Sequence, residues 1–134
     1  MGIQFKKVSN GISCDVNFID KLNIIKGASG TGKTFLFNVI YSYCTFSGIK
    51  CAFIDYRVVA SGNTDLIFEM CKNKSIVILD NADLYLTQDL FSRIRTLDCT
   101  VIVSKKSTFG LDMRDVHLYT VNYSGDSLST VRRM

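Results

Sequence analysis

Residues 22–34, LNIIKGASGTGKT, constrain this chain more than any other segment, because Gly27, Gly32, Lys33 and Thr34 fill the pattern G-x-x-x-x-G-K-[ST] directly after an apolar run. A chain of phosphates is well hydrated. A protein that takes it out of water must therefore bring many hydrogen-bond donors together on a small concave surface. Backbone N–H groups do this when a loop wraps tightly, and Gly27, Gly30 and Gly32 supply the permissive backbone. A helix opening near Gly32 aims its unpaired N–H groups and positive dipole end at the same point. Lys33 is then a point charge for the β- and γ-phosphates, and the Thr34 hydroxyl is the expected protein ligand for Mg²⁺. The expected nucleotide contacts are Gly27, Ala28, Ser29, Gly30, Thr31, Gly32, Lys33, Thr34 and Phe35. At ordinary residue usage four such matches arise by chance in a chain this long on the order of half a percent of the time, so the pattern counts as evidence.

The flanking residues predict the order strand, loop, helix. Residues 21–25 read as a short buried strand, and Leu36, Val39, Ile40 and Tyr43 recur at i, i+3, i+4 and i+7, the stripe of a helix packed on a sheet. About fifty residues on comes SIVILDNAD, residues 75–83. Four aliphatic residues ending in an acid read as a strand buried on both faces whose carboxylate emerges at the carboxyl edge of the sheet, where open α/β sheets bind ligands. Asp80 is the second expected Mg²⁺ ligand, acting through water opposite Thr34, because Mg²⁺ prefers hard oxygens and keeps part of its hydration shell.

With those residues in place, the chain resembles a P-loop NTPase: residues 27–34 match Walker A and residues 76–80 match Walker B. The later elements are similar in order to the branch that includes AAA+ and ABC-type ATPases. In that branch a strand after Walker B ends in a polar residue that senses the γ-phosphate, and residues 100–104, TVIVS, followed by Lys105, occupy that place. Residues 3–8 and 13–18, joined by Ser9, Asn10 and Gly11, read as a β-hairpin leading into the Walker A strand, an arrangement that resembles the start of an ABC-type nucleotide-binding domain. The resemblance implies an α/β fold of three layers, with helices on both faces of a mainly parallel sheet and antiparallel hairpins at both ends. It implies ATP and Mg²⁺ as cofactors.

The departures from that pattern are equally specific. Asn81 stands where the branch commonly has a Glu that polarises the attacking water, and an amide cannot accept a proton. Asp83 is the nearest alternative carboxylate and reads equally well as a turn or helix-capping residue. Lys33, Asn81 and Asp83 are therefore the candidate catalytic residues. No LSGGQ-like signature occurs, and Lys105 stands where a His follows the sensing strand. The expectation is ATP binding with slow or conditional hydrolysis, dependent on self-association or on a partner protein that supplies catalytic elements. The alternatives are a nucleotide-binding switch or assembly module, and a small-molecule kinase, for which Arg57, Arg93, Arg95 and Arg114 form no recognisable lid pattern. No N/T-K-x-D base-reading motif occurs, which favours ATP over GTP by absence.

Composition bounds the rest. A chain of 134 residues, 47% apolar and 21% charged, is expected to form one domain, residues 1–134, with a single core. Five scattered cysteines without C-x-x-C spacing and one histidine, His117, argue against zinc and suit a reducing compartment, so a cytoplasmic location is expected. No apolar run approaches a membrane span and no signal-peptide core opens the chain. A net charge of +4 with only short basic pairs permits nucleic-acid binding without indicating it. Residues 50–56 read as a second parallel strand, residues 64–72 as a short helix and Leu86, Leu90, Ile94 and Leu97 as another, with Thr87 able to cap it. Residues 118–122 and 128–132 read as a second hairpin around Ser124, Gly125 and Asp126.

Overall fold

A computed structural model of the chain describes residues 2–27, 32–55 and 64–133. Eight strands form one sheet: β1 Ile3–Ser9, β2 Ile12–Phe18, β3 Leu22–Lys26, β4 Cys51–Ile54, β5 Ile76–Leu79, β6 Thr100–Lys105, β7 Val116–Ser124 and β8 Ser127–Arg132. The described residues also form three helices, α1 Lys33–Ser47, α2 Thr64–Cys71 and α3 Gln88–Ile94, and one 3₁₀ turn, Ala82–Leu84. Local chemistry sets the boundaries. Asn10, in the left-handed region, and Gly11 turn the β1–β2 hairpin, and Gly48 ends α1 in the same conformation. Thr87 caps α3 by accepting from the Leu90 N–H at 3.1 Å. That helix is shorter than its apolar spacing suggests, since Leu86 precedes the cap and Leu97 falls in the turn after it.

The strand order is β1-β2-β8-β7-β3-β6-β5-β4. This corrects the expectation of a three-layer P-loop fold with a mainly parallel sheet and a hairpin at each end: the sheet is mixed and curls into a half-barrel, with three short helices among the described residues. Both hairpins lie on the same side of β3 and are joined there, with Ser13 opposite Ser127, Cys14 opposite Leu128 and Asp15 opposite Ser129 in a parallel pairing. The physical reason is edge pairing. Each hairpin alone leaves unpaired strand edges and only one apolar face, which is marginal in water. Merging them aligns Ile3, Phe5, Cys14, Val16, Phe18 and Leu128 into one apolar surface. The opposite face keeps Gln4, Lys6 and Asp15 in solvent, so this half of the sheet is covered on one side only.

The other half is buried on both faces. In β3, β5 and β6 successive residues alternate between two cores. Leu22, Ile24, Val77, Leu79, Val101 and Val103 pack with Ile67, Cys71, Leu90, Phe91 and Ile94 of α2 and α3. Ile25, Ile76, Ile78 and Ile102 pack with Leu36, Phe37, Val39 and Ile40 of α1 and with the hairpin surface. Such two-sided burial explains why these strands are continuous aliphatic runs. Tyr119 in β7 ties the halves together. Its ring meets Phe18 at 4.8 Å between centroids, and its hydroxyl donates to Asp20 Oδ2 at 2.7 Å while accepting from the Ile19 N–H at 3.2 Å. Arg132 Nε, from β8, donates to the same Asp20 oxygen at 2.9 Å. Tyr119→Phe keeps the ring but removes one of the two donors to Asp20 Oδ2 and the acceptor of the Ile19 N–H, so it is expected to destabilise the fold by about 1–3 kcal/mol in chemical denaturation; an unchanged midpoint would remove this junction from the account.

Candidate functional site

The carboxyl ends of four adjacent strands bring together the residues that the sequence separates. Along that edge, in the order β3, β6, β5, β4, stand Gly27, Ser104 with Lys105, Asp80, and Asp55. Gly27 closes onto β6 through its N–H, which donates to the Lys105 carbonyl at 3.2 Å. Asp80 directly follows β5 and is buried, 3% exposed. Its main chain is fixed on both sides: the N–H donates to the Ile54 carbonyl at 2.9 Å, and its carbonyl accepts from the Tyr85 hydroxyl at 2.8 Å. The carboxylate is held as firmly. Thr34 Oγ1 donates to Oδ2 at 3.0 Å and Ser104 Oγ donates to Oδ1 at 3.0 Å. A buried carboxylate needs such donors, since leaving one unmet costs several kcal/mol.

Of the loop pattern, Gly27 and Gly32 lie at its two ends with φ of 151° and 86°, a region that side chains with a Cβ rarely adopt. A Cβ on Gly32 would also stand 3.2 Å from the ring of Tyr123 in β7. Ala28, Ser29, Gly30 and Thr31 lie outside the described residues. Gly32 is the N-cap of α1 and offers no side-chain acceptor, and no acidic residue stands in the first turn, so the positive end of this helix is not neutralised by its own side chains. Lys33, mostly buried, donates from Nζ to the Gly27 carbonyl at 2.5 Å. Burial pulls its ammonium below the ordinary lysine range, against the attraction of Asp80 and Asp83. Phe35 is half-buried and packs against the core on the α1 side.

The oxygen pair suits a hard cation. Thr34 Oγ1 and Asp80 Oδ2 are 3.0 Å apart, and adjacent corners of a Mg²⁺ octahedron, with ligands at about 2.0–2.1 Å, are separated by about 3 Å. Among the described residues no group of three or more His, Cys, Asp or Glu side chains comes together. A cation here would therefore rest on two protein oxygens, with water and ligand oxygens completing its shell, the mode Mg²⁺ favours.

Asn81 and Asp83 take places that their sequence positions do not announce. Asn81 has φ 51° and ψ 46°, a left-handed conformation that asparagine tolerates better than glutamate does, and its N–H donates to Ser104 Oγ at 2.9 Å. Backbone geometry thus gives a reason for Asn at this position. Asp83 faces β6: it accepts from the Lys106 N–H at 2.7 Å and the Ser107 N–H at 3.4 Å, with Lys105 Nζ at 3.4 Å. Burial would raise its carboxyl, but these donors outweigh burial and hold it below the usual carboxylate range.

Two further residues complete the edge. Ser104 serves as the second donor to Asp80, a role its place at the end of an aliphatic strand hints at without specifying. Asp55 lines a cleft of about 510 Å³ together with Thr34, Asn38, Tyr41, Phe53, Asp80 and Asn81. The signal for it was present in the sequence: CAFI followed by Asp55 repeats the pattern of IVIL followed by Asp80.

Asp83→Asn tests the electrostatics of the β6 contact. Because the folded carboxyl is depressed, its stabilising contribution is complete above the unfolded value of about 3.9 and disappears as pH falls through the folded one. Thermal unfolding should show a deficit of under about 1 kcal/mol for the variant, discounted for a carboxylate one-third exposed, constant from neutral pH and narrowing below about pH 4. A deficit that does not change with pH would contradict it.

Compared with protein-family models, curated proteins and solved structures, the chain matches none.

Proposed function

We propose that the chain binds ATP with Mg²⁺ at the carboxyl edge of β3, β6 and β5 and hydrolyses it slowly, as an ATPase similar to P-loop NTPases. The observation that carries this reading is the meeting of Lys33, Thr34 and Asp80 at the opening of α1, with Thr34 and Asp80 joined at 3.0 Å across 46 residues of sequence. In this reading the phosphates would lie against the α1 N-terminus between Gly27 and Lys33, and Thr34 and Asp80 would hold the Mg²⁺, which would neutralise charge on the phosphates. Ser104 keeps the Asp80 carboxylate oriented.

Slow turnover follows from the parts. Phosphoryl transfer depends on positioning the water and neutralising charge on the γ-phosphate, and an arginine supplied by another subunit can contribute 10³–10⁵ in rate in systems of this kind. Among the described residues Arg93 is engaged by Asp65 at 2.7 Å and Arg114 by Asp112 at 2.6 Å, away from the cleft. A second copy or a partner protein is therefore the proposed source of a catalytic cation. Among the described residues no helix is long and apolar enough to cross a membrane, and the five free cysteines suit a reducing cytoplasm, which is the proposed setting.

Calorimetric titration with ATP tests the reading. A charge-assisted hydrogen bond contributes about 1.5–3 kcal/mol, so Lys33→Ala should weaken binding by about 10- to 150-fold while the fold persists. Unchanged affinity in a folded Lys33→Ala protein would remove the phosphate-binding role. Asp80→Asn keeps the shape and removes the charge, so the tightening of ATP binding by Mg²⁺ should shrink while metal-free binding remains. Equal Mg²⁺ enhancement in parent and variant would return Asp80 to a purely structural role.

A further inference from the structure

We infer that the cleft between α1 and β4 is where the attacking water is held, and that Asp55 is the carboxylate that orients it and takes its proton. The inference rests on the proposed nucleotide site and deepens it. Four observations lead to Asp55. First, β4 and β5 are parallel and in register, Ile54 opposite Leu79, so Asp55 and Asp80 are the next residues of neighbouring strands and stand about 4.8 Å apart along the same edge. Second, side chains alternate in strands, which puts Asp55 on the face of Phe53 and Asp80 on the face of Ile78; both faces belong to the core on the α1 side. Third, Thr34, Asn38 and Tyr41, at i, i+4 and i+7 of α1, border the same cleft and form its opposite wall. Fourth, of the other carboxylates near this edge, Asp80 is assigned to the proposed cation with Thr34, and Asp83 turns to Lys105, Lys106 and Ser107 beside β6, outside the lining of the cleft. Asn81, which borders the cleft, has no carboxylate to offer.

Direction along the edge agrees. With the phosphates entering from Gly27 and Lys33 at β3, and the cation at Thr34 and Asp80 on β5, the γ-phosphate faces β4, the next strand out. In-line displacement requires the water on the side away from the leaving group, which is the side Asp55 occupies. As the water oxygen bonds to the γ-phosphorus, the bond from that phosphorus to the β,γ-bridging oxygen breaks. Its electron pair leaves on ADP, and the proton of the water passes to the Asp55 carboxylate and then to solvent.

The test measures ATP turnover in single-turnover format with Mg²⁺ at several protein concentrations, beside affinity for a fluorescent ATP analogue. The proteins are the parent, Asp55→Asn, and Asp55→Ala with and without formate. The expected result is affinity within about twofold of the parent, turnover lower by at least about 100-fold in both variants, and partial recovery of Asp55→Ala by formate, which a structural role would not produce. Turnover of Asp55→Asn within about threefold of the parent overturns the assignment, as do a parallel loss of affinity and a parent that binds the analogue but releases no phosphate. A parent that does not bind the analogue removes the nucleotide reading, and the inference with it.

Discussion

The buried carboxylate of Asp80 is the constraint on which the rest of the edge depends. At 3% exposure it has almost no water to solvate it, so its two oxygens must be met by protein donors, and Thr34 and Ser104 meet one each. Those two bonds position three elements against one another. Thr34 brings the N-terminus of α1 to the end of β5, and Ser104 brings the end of β6, which in turn holds Gly27 through the Lys105 carbonyl. Tyr85 pins the Asp80 and Ile54 carbonyls with one hydroxyl, so β4 is fastened to the same point. The proposed cation pair, the lysine and the loop ends are therefore consequences of how one charge is buried.

Much of the local structure was legible because it is written in short-range chemistry. Aliphatic runs mark β5 and β6, Asn10 and Gly11 mark a turn, and Thr87 marks a helix start. The architecture was not legible in the same way. Nothing local in residues 12–18 or 127–132 says that β2 will pair with β8 across more than a hundred residues, and that single parallel pairing converts two flanking hairpins into one curled, mixed sheet. Period-2 alternation in β1 and β2 does say that one face is wet, which points away from helices on both faces of the whole sheet.

The site divides along the same line. Gly27, Lys33, Thr34 and Asp80 stand out in the sequence because their spacing is itself the signal, and the structure brings all four to one strand edge. Residues 28–31 carry the rest of that pattern and lie outside the described residues. Asn81 and Asp83 lie close to Asp80 in sequence, but distance along the chain is a poor guide once the 3₁₀ turn Ala82–Leu84 swings Asp83 toward Lys105. Asn81 answers a backbone requirement, φ 51°, before any chemical one. Asp55 stands 25 residues before Asp80 in sequence, and it is the pairing of Ile54 with Leu79 that makes the two neighbours in space.

The central claim, that a metal–nucleotide complex sits between α1 and the ends of β5 and β6, is tested most directly by amide NMR with Mn²⁺ in place of Mg²⁺. Paramagnetic broadening depends steeply on distance and reports position without relying on turnover. In the presence of ATP and substoichiometric Mn²⁺, the account predicts selective broadening of the amides of Thr34, Phe35, Asp80 and Asn81, with Asp55 next, and the least at Gln4 and Lys6 of β1, at the far end of the sheet. Broadening that centres elsewhere, or that is the same with and without ATP, would contradict it.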